Sequence, residues 1–135
     1  MSTAPTTEAK TQSTQVAIIG SGFGGLAMAI RLLQANIHDF IILEKADDVG
    51  GTWRENQYPG AACDVQSHMY SLSFAPKTDW SKRYAEAPEI FDYIQDLIQQ
   101  FNLKKYIQFN QEVVSTRYDE HNFNWHLTLK SGQKI

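Results

Sequence analysis

The spacing of apolar and polar residues predicts strands that alternate with helices. Short apolar runs at residues 15–19, 40–43 and 107–109 are typical of strands, and the first is almost continuously apolar, as in a buried parallel strand. Residues 24–35 predict a helix that is apolar around most of its circumference and is therefore covered on more than one side. Residues 88–101 predict an amphipathic helix whose first residue is a proline.

The end of the chain has a different pattern. Residues 112–118 and 123–129 predict an antiparallel hairpin. Strict alternation in its second strand predicts one buried face, formed by Phe123, Trp125, Leu127 and Leu129. A third strand of this meander should begin where the sequence stops, at Ile135. The sequence therefore predicts an α/β, Rossmann-like domain with a parallel sheet, helices and an antiparallel β-meander, incomplete at its C-terminus.

Two stretches lack periodicity. Residues 1–14 are rich in Thr and Ser and predict a disordered tail, which leaves residues 15–135 as one partial domain. Residues 45–87 are rich in aromatic side chains and punctuated by Gly and Pro. So long a segment without clear periodicity is unusual in a compact domain and is often functional.

Composition and charge narrow the possible partners. The net charge of −3 gives no reason to expect nucleic acid or an anionic membrane as a partner. No apolar run approaches about 18 residues, and the polar start lacks the apolar segment of a secretory signal. The single Cys63 cannot form an internal disulfide, which favours a cytoplasmic location. No His or acid constellation supports Cys63 as a nucleophile, so we expect it to be a small buried residue. The four histidines are not spaced as metal ligands, so no metal site is predicted.

A glycine-rich turn follows the first predicted strand and opens the first helix. In the pattern Gly20-x-Gly22-x-x-Gly25, the first glycine allows a tight turn, the second lets backbone approach a pyrophosphate, and the third lets helix and strand pack closely. Free N–H groups at the helix start would then face the phosphates. By itself this pattern predicts only some dinucleotide.

Glu44 stands at the end of the second predicted strand, nineteen residues after Gly25. This is near the spacing expected of an acid that accepts hydrogen bonds from ribose hydroxyls. A carboxylate there would repel a 2′-phosphate, so we expect this site not to hold NADP. The alternative is a solvated glutamate at the end of a strand.

Residues 50–74, GGTWRENQYPGAACDVQSHMYSLSF, make the interpretation specific. Together with GSGFGG and LEKADDVGG, they resemble the N-terminal FAD-binding region of flavin-dependent monooxygenases, above all of Baeyer–Villiger monooxygenases and their flavin-containing monooxygenase relatives. The resemblance runs from about residue 16 to residue 118. It implies that FAD is the cofactor of this region.

The resemblance also implies roles for individual residues. Gly20, Gly22, Phe23 and Gly25 resemble the pyrophosphate turn, and Glu44, followed by Lys45, resembles the acid on the adenosine ribose. Gly51, Thr52 and Trp53 resemble the segment along the flavin end of FAD. Asp64 is similar to a supporting active-site aspartate beside the isoalloxazine ring, although a turn or N-cap aspartate is the alternative reading. Tyr70 resembles a second flavin contact, and Val113 the position that pairs with the adenine edge.

Members of the family are several times longer than this chain. They carry a second glycine-rich turn for NADPH, a fingerprint motif and a catalytic arginine, and none of these is present here. The resemblance implies a parent enzyme in which NADPH reduces the flavin, and a C4a-peroxyflavin formed with O₂ oxygenates a ketone or a heteroatom. We therefore expect this chain to be an N-terminal fragment that is inactive alone.

Two alternatives remain open. The first is that the chain is not the cofactor-binding part of such an enzyme but a non-catalytic FAD-binding module or remnant. A related flavoprotein with two dinucleotide sites, such as a disulfide reductase or an amine oxidase, is the other alternative. The single cysteine provides no redox pair for the reductase, and the 50–74 segment favours the monooxygenase.

Overall fold

A computed structural model describes residues 11–135 of the chain. Its main elements in order are β1 (Val16–Ile19), α1 (Phe23–Gln34), β2 (Phe40–Leu43), α2 (Thr52–Glu55), α3 (Ala87–Gln100), β3 (Ile107–Gln108), β4 (Val113–Asp119) and β5 (Asn124–Leu129). Short 3-10 helices span Ser67–Met69 and Lys104–Tyr106. The predicted tail lies mostly outside the described residues. Among residues 11–135, no helix has the length and hydropathy needed to cross a bilayer.

The domain has three layers. β1, β2 and β3 form a parallel sheet in that spatial order, and β4 and β5 form a separate antiparallel hairpin. Because successive strand residues face opposite sides, Ile18 and Ile42 pack with α1 and α3, whereas Leu43 packs with Leu127 and Leu129 of the hairpin. The sheet therefore lies between the helices and the hairpin, as expected of the predicted α/β fold.

The long aperiodic segment is held against α3 by backbone and side-chain hydrogen bonds. The amide of Ala87, the first residue of α3, donates to the carbonyl of Ala61 at 2.8 Å. The buried hydroxyl of Tyr93 donates to the carbonyl of Ala75 at 2.6 Å and accepts from the amide of Leu72 at 2.9 Å. Tyr70 of this segment lies beside Phe23 at the start of α1, with ring centroids 5.3 Å apart, although the segment has no long regular elements.

Several local predictions need correction. Helix α1 begins at Phe23, one residue earlier than predicted, and Pro88 is the second rather than the first residue of α3, because Glu86 is its N-cap. Met28 is 52% exposed and Ile19 is 59% exposed, so neither α1 nor β1 is covered as fully as their composition predicts.

The hairpin matches its prediction only in part. Leu127 and Leu129 are buried against the sheet, but Phe123 and Trp125 are 80% and 60% exposed. Phe123 has a φ of 55° and belongs to the turn, so it is not part of the strand. Trp125 packs against Tyr118 on the same hairpin, with ring centroids 5.3 Å apart, and does not reach the sheet. After β5, Lys134 forms an isolated antiparallel bridge with Thr128, and Ile135 and Leu127 exchange backbone hydrogen bonds of 2.8 and 3.0 Å.

Candidate dinucleotide-binding site

A cleft of about 350 Å³ opens at the carboxyl ends of β1 and β2. Open α/β sheets bind ligands outside the carboxyl ends of their strands. The cleft brings together half of the twelve predicted cofactor-binding residues, namely Gly20, Gly22, Glu44, Lys45, Gly51 and Val113.

The glycine turn has the backbone geometry that its spacing predicts. Gly20 has a φ of +93°, which is strained for residues with a side chain. A Cβ atom on Gly25 would lie 2.0 Å from the carbonyl oxygen of Gly20 and 3.3 Å from the Cγ2 of Ile18. Gly25 therefore permits the close packing of α1 on the turn and on β1.

Two helix starts meet at the cleft. Gly22 is the N-cap of α1 and Gly51 is the N-cap of α2, and neither makes a side-chain capping bond. A Cβ atom on Gly51 would lie 3.2 Å from the Cα of Gly22, so side chains at these positions would fill the space between the two helix starts. Within residues 11–135, no backbone or side-chain acceptor pairs with the amides of residues 23–25. Such unpaired amides at the start of a helix suit an anion such as a pyrophosphate.

The carboxylate of Glu44 is buried and bonded. The residue is only 4% exposed, so it is not the solvated glutamate of the alternative reading. Its Oε2 accepts from the amide of Ser21 at 2.8 Å and from the Ser21 hydroxyl at 2.6 Å, and its Oε1 accepts from the amide of Ala46 at 3.0 Å. Burial opposes ionisation, but these hydrogen bonds, with the charge of Arg54, outweigh it and hold the pKa of Glu44 below its usual value.

Lys45 and Val113 line other walls of the cleft. The ammonium of Lys45 forms an exposed ion pair with Glu55, 3.4 Å from its carboxylate. Val113 begins β4, and the preceding segment is fastened to the end of β2 because the amide of Gln111 donates to the carbonyl of Glu44 at 2.8 Å. A main-chain segment therefore runs beside the carboxylate of Glu44, where the adenine partner is predicted.

Two of the predicted flavin-side residues, Trp53 and Tyr70, form an aromatic cluster with Phe23 of the glycine turn next to the cleft. The rings of Phe23 and Tyr70 meet edge to face with centroids 5.3 Å apart, and those of Trp53 and Tyr70 do so at 5.7 Å. The indole N–H of Trp53 donates to the Tyr70 hydroxyl at 3.1 Å. Burial raises the pKa of Tyr70, although the hydrogen bond from Trp53 opposes this shift, and the charge of the nearby Asp64 adds to it.

Asp64 is exposed beside this cluster. Gln66, not Asp64, is the N-cap of the following 3-10 helix, and in residues 11–135 the Asp64 side chain makes no hydrogen bond. The alternative reading as a capping aspartate therefore finds no support. Thr52 is an exposed residue in the first turn of α2, and Cys63 is buried with Ala85 and Ile90.

Sequence reasoning missed six residues that line the cleft, four of them polar, namely Ser21, Glu55, Gln111 and Glu112. The glycine pattern does not specify the residue between Gly20 and Gly22. The one signal for Ser21 in the sequence is that a serine hydroxyl can donate a hydrogen bond to a nearby acid. Residues 111 and 112 enter the cleft through the pairing of β3 with β2, which carries no local signal. A second cleft of about 490 Å³, between residues 53–61 and the start of α3, includes only Trp53 among the predicted residues.

Comparisons with known proteins agree with this geometry. Residues 18–97 match the profile of a family described as "NAD(P)-binding Rossmann-like domain". A Baeyer-Villiger monooxygenase of Pseudomonas aeruginosa is 48% identical over 132 residues, which are 98% of this chain and 25% of that protein. The FAD-binding monooxygenase moxY of Dothistroma septosporum is 41% identical over 86% of this chain and 19% of its own length. An oxidized steroid monooxygenase bound to NADP superposes with a TM-score of 0.85 and 35% identity, covering 92% of this chain and 24% of that structure.

The family match covers more than half of the chain, so the chain belongs to the NAD(P)-binding Rossmann-like domain family. Within that class, the resemblance to Baeyer–Villiger-type flavoprotein monooxygenases is confirmed. The chain spans about a fifth to a quarter of the length of these relatives.

Proposed function

We propose that this chain is the FAD-binding part of an NAD(P)H-dependent flavoprotein monooxygenase. The observation that carries the proposal is the continuous arrangement of two helix starts, a buried carboxylate and an aromatic cluster around one cleft. Each part suits one portion of FAD. The unpaired amides suit the pyrophosphate, Glu44 suits the ribose, and the aromatic cluster suits a flat ring system.

The family description names NAD(P), but three considerations favour FAD at this cleft. The negative charge of Glu44 would repel the 2′-phosphate of NADP. Helix α2 links the cleft directly to Trp53 and the aromatic cluster, which offers contacts to a ring larger than nicotinamide. A relative that aligns with 86% of the chain is named as FAD-binding. NADPH would require a second site, and the sequence contains only one G-x-G-x-x-G pattern.

The residues of the chain divide the binding task. The amides at the start of α1 would hold the pyrophosphate, and Gly22 and Gly51 leave room for it to approach. The carboxylate of Glu44 would accept a ribose hydroxyl, and the backbone near Val113 would pair with the adenine edge. Asp64, exposed beside Tyr70, would support the reactive end of the ring. When bound, FAD supplies the redox chemistry of oxygenation.

A titration of the purified chain tests the cofactor assignment. We expect FAD to bind with quenching of its fluorescence, ADP-ribose to compete for the same cleft, and NADP to compete poorly. Glu44→Arg should weaken FAD and ADP-ribose binding together, whereas Glu120→Arg, the same change in the exposed hairpin turn, should not. Equal binding of NADP and FAD would contradict the assignment.

For the whole enzyme we propose insertion of oxygen next to the carbonyl of a small ketone, or oxygenation of a heteroatom, with O₂ and NADPH. The name of the P. aeruginosa relative supports the Baeyer–Villiger reaction. The full gene product, supplied with FAD, should oxidise NADPH and consume O₂ in the presence of a panel of ketones and sulfides. Failure with every member of the panel would overturn this reading.

The second candidate is a non-catalytic FAD-binding module. It is favoured by the unbonded state of Asp64, since within residues 11–135 no cationic side chain pairs with it. Under this reading, residues 1–135 bind FAD but do not oxidise NADPH. Measurable NADPH oxidation by this chain alone would exclude the module.

A further inference from the structure

Ser21 occupies the one position of the Gly20-x-Gly22 turn that the motif leaves open. Its side chain is completely buried, and both of its donors reach the same acceptor. The amide lies 2.8 Å and the hydroxyl 2.6 Å from Oε2 of Glu44. The turn that would hold the pyrophosphate and the acid that would hold the ribose are therefore joined through one residue.

The hydrogen bonds leave Glu44 little freedom. An ionised carboxylate offers about four acceptor positions. Two are taken by Ser21 and a third by the amide of Ala46. Rotation of the carboxylate would break both bonds to Ser21 and leave a buried charge without donors, which is costly. About one acceptor position therefore remains for a ligand.

We propose that Ser21 is a positioning residue, whose hydroxyl holds the Glu44 carboxylate in the orientation that accepts a ribose hydroxyl and so sets the affinity for the ADP-ribose half of FAD. This inference rests on the proposed function of the cleft. Ser21 acts through Glu44 and needs no contact of its own with the ligand.

The charged residues around Glu44 cannot take over the role of the Ser21 hydroxyl in orienting its carboxylate. Arg54 acts on it through space but makes its own hydrogen bonds to the Asp48 carbonyl and to Glu55. Lys45 is paired with Glu55, and Glu112 on the far wall of the cleft is paired with Lys130. Without the Ser21 hydroxyl, the buried carboxylate keeps two amide donors, so burial raises its pKa and its position is less restricted.

Three variants test the proposal in the full chain. Ser21→Ala removes the hydroxyl, and Ser21→Thr retains it. Ser67→Ala is the matched control, because Ser67 is also buried and its hydroxyl also makes a 2.6 Å bond, but to the carbonyl of Lys82 and away from the cleft. Calorimetric titrations with FAD and with ADP-ribose, between about pH 4 and pH 8, give the affinities. Carbon-detected NMR of the ligand-free proteins gives the Glu44 titration.

We expect Ser21→Ala to lower the affinity for both ligands by about three- to tenfold at neutral pH. This is less than the direct loss of a hydrogen bond to a charged group, because Ser21 acts on the ligand only through Glu44. The pH below which binding fails should rise together with the Glu44 midpoint. Ser21→Thr should restore both values, and Ser67→Ala should change neither. If Thr does not fit, the pH profile and the NMR midpoint of Ser21→Ala still decide.

Two results would overturn the inference. One is an unchanged affinity and an unchanged Glu44 midpoint in Ser21→Ala. The other is an equal loss of affinity in Ser67→Ala without a change in pH profile, which would indicate general destabilisation. If the unsubstituted chain binds neither FAD nor ADP-ribose, the proposed function of the cleft is wrong. If only Ser21→Ala loses binding, the proposed function stands and the result concerns the role of Ser21.

Discussion

The cleft and the aromatic cluster lie side by side but are built by different means. The cleft depends on backbone geometry and one carboxylate, drawn mostly from residues 19–22 and 43–45 at the ends of β1 and β2. The cluster depends on contacts between side chains that are 47 and 17 residues apart in sequence, from Phe23 to Tyr70 and from Trp53 to Tyr70. At Gly25 the backbone leaves no room for an added atom, whereas side-chain contacts can be lost one at a time. We therefore expect abrupt effects in the cleft and graded effects in the cluster.

The largest effect should come from Gly25→Ala. The added Cβ would lie 2.0 Å from the Gly20 carbonyl oxygen, so the turn or helix α1 must move. We expect a loss of about 3 kcal/mol or more in the free energy of unfolding, measured by chemical denaturation. Gly24→Ala is the control, since nothing lies within 4 Å of its Cβ position and alanine favours a helix by up to about 1 kcal/mol. Similar stability of the two variants would contradict the close packing at Gly25.

The next effect concerns ligand affinity. Glu44→Gln keeps the shape of the side chain but removes its charge, and a hydrogen bond to a charged group contributes about 1.5–3 kcal/mol, so FAD affinity should fall by about 10- to 100-fold. Glu55→Gln makes the same change on the wall of the same cleft, in an exposed ion pair. It should change affinity by less than about fivefold. Equal losses would mean that only the total charge of the cleft matters.

A smaller effect should follow Tyr70→Phe. It leaves the indole N–H of Trp53 without its acceptor at 3.1 Å, while the ring contacts remain. We expect the free energy of unfolding to fall by about 1 kcal/mol. Tyr58→Phe, at a residue that is 63% exposed, should leave stability unchanged in the same denaturation experiment. If the free energy of unfolding fell by several kcal/mol in Tyr70→Phe, the cluster would be as sensitive to substitution as the cleft.

The smallest effect should appear in the pH dependence of stability. The lowered pKa of Glu44 means that its stabilising contribution is present above pH 4.5 and is lost as the pH falls through its folded value. The raised pKa of Tyr70 means that its contribution is present below pH 10 and is lost as the pH rises through its folded value. Glu44→Gln should flatten the acid limb of the stability curve, and Tyr70→Phe the alkaline limb. An acid limb unchanged by Glu44→Gln would contradict the buried, bonded state of this carboxylate.

The sequence alone determined the features that depend on neighbouring residues. The β1–α1–β2 unit, the positive φ of Gly20 and the amphipathic helix α3 follow from local conformational preference and periodicity, which act over a few residues. The placement of Glu44 at the end of β2 follows from the same short-range pattern.

Only the tertiary structure decided the features that depend on distant contacts. It joined Ser21 to Glu44, 23 residues later, and brought Tyr70 within hydrogen-bonding distance of Trp53. It also left Phe123 and Trp125 exposed, although their alternation with polar residues predicted burial. The physical reason is that periodicity specifies which face of a strand is apolar but not what packs against it. Burial and side-chain pairing are set by the surfaces that meet when the sheet, the helices and the hairpin assemble.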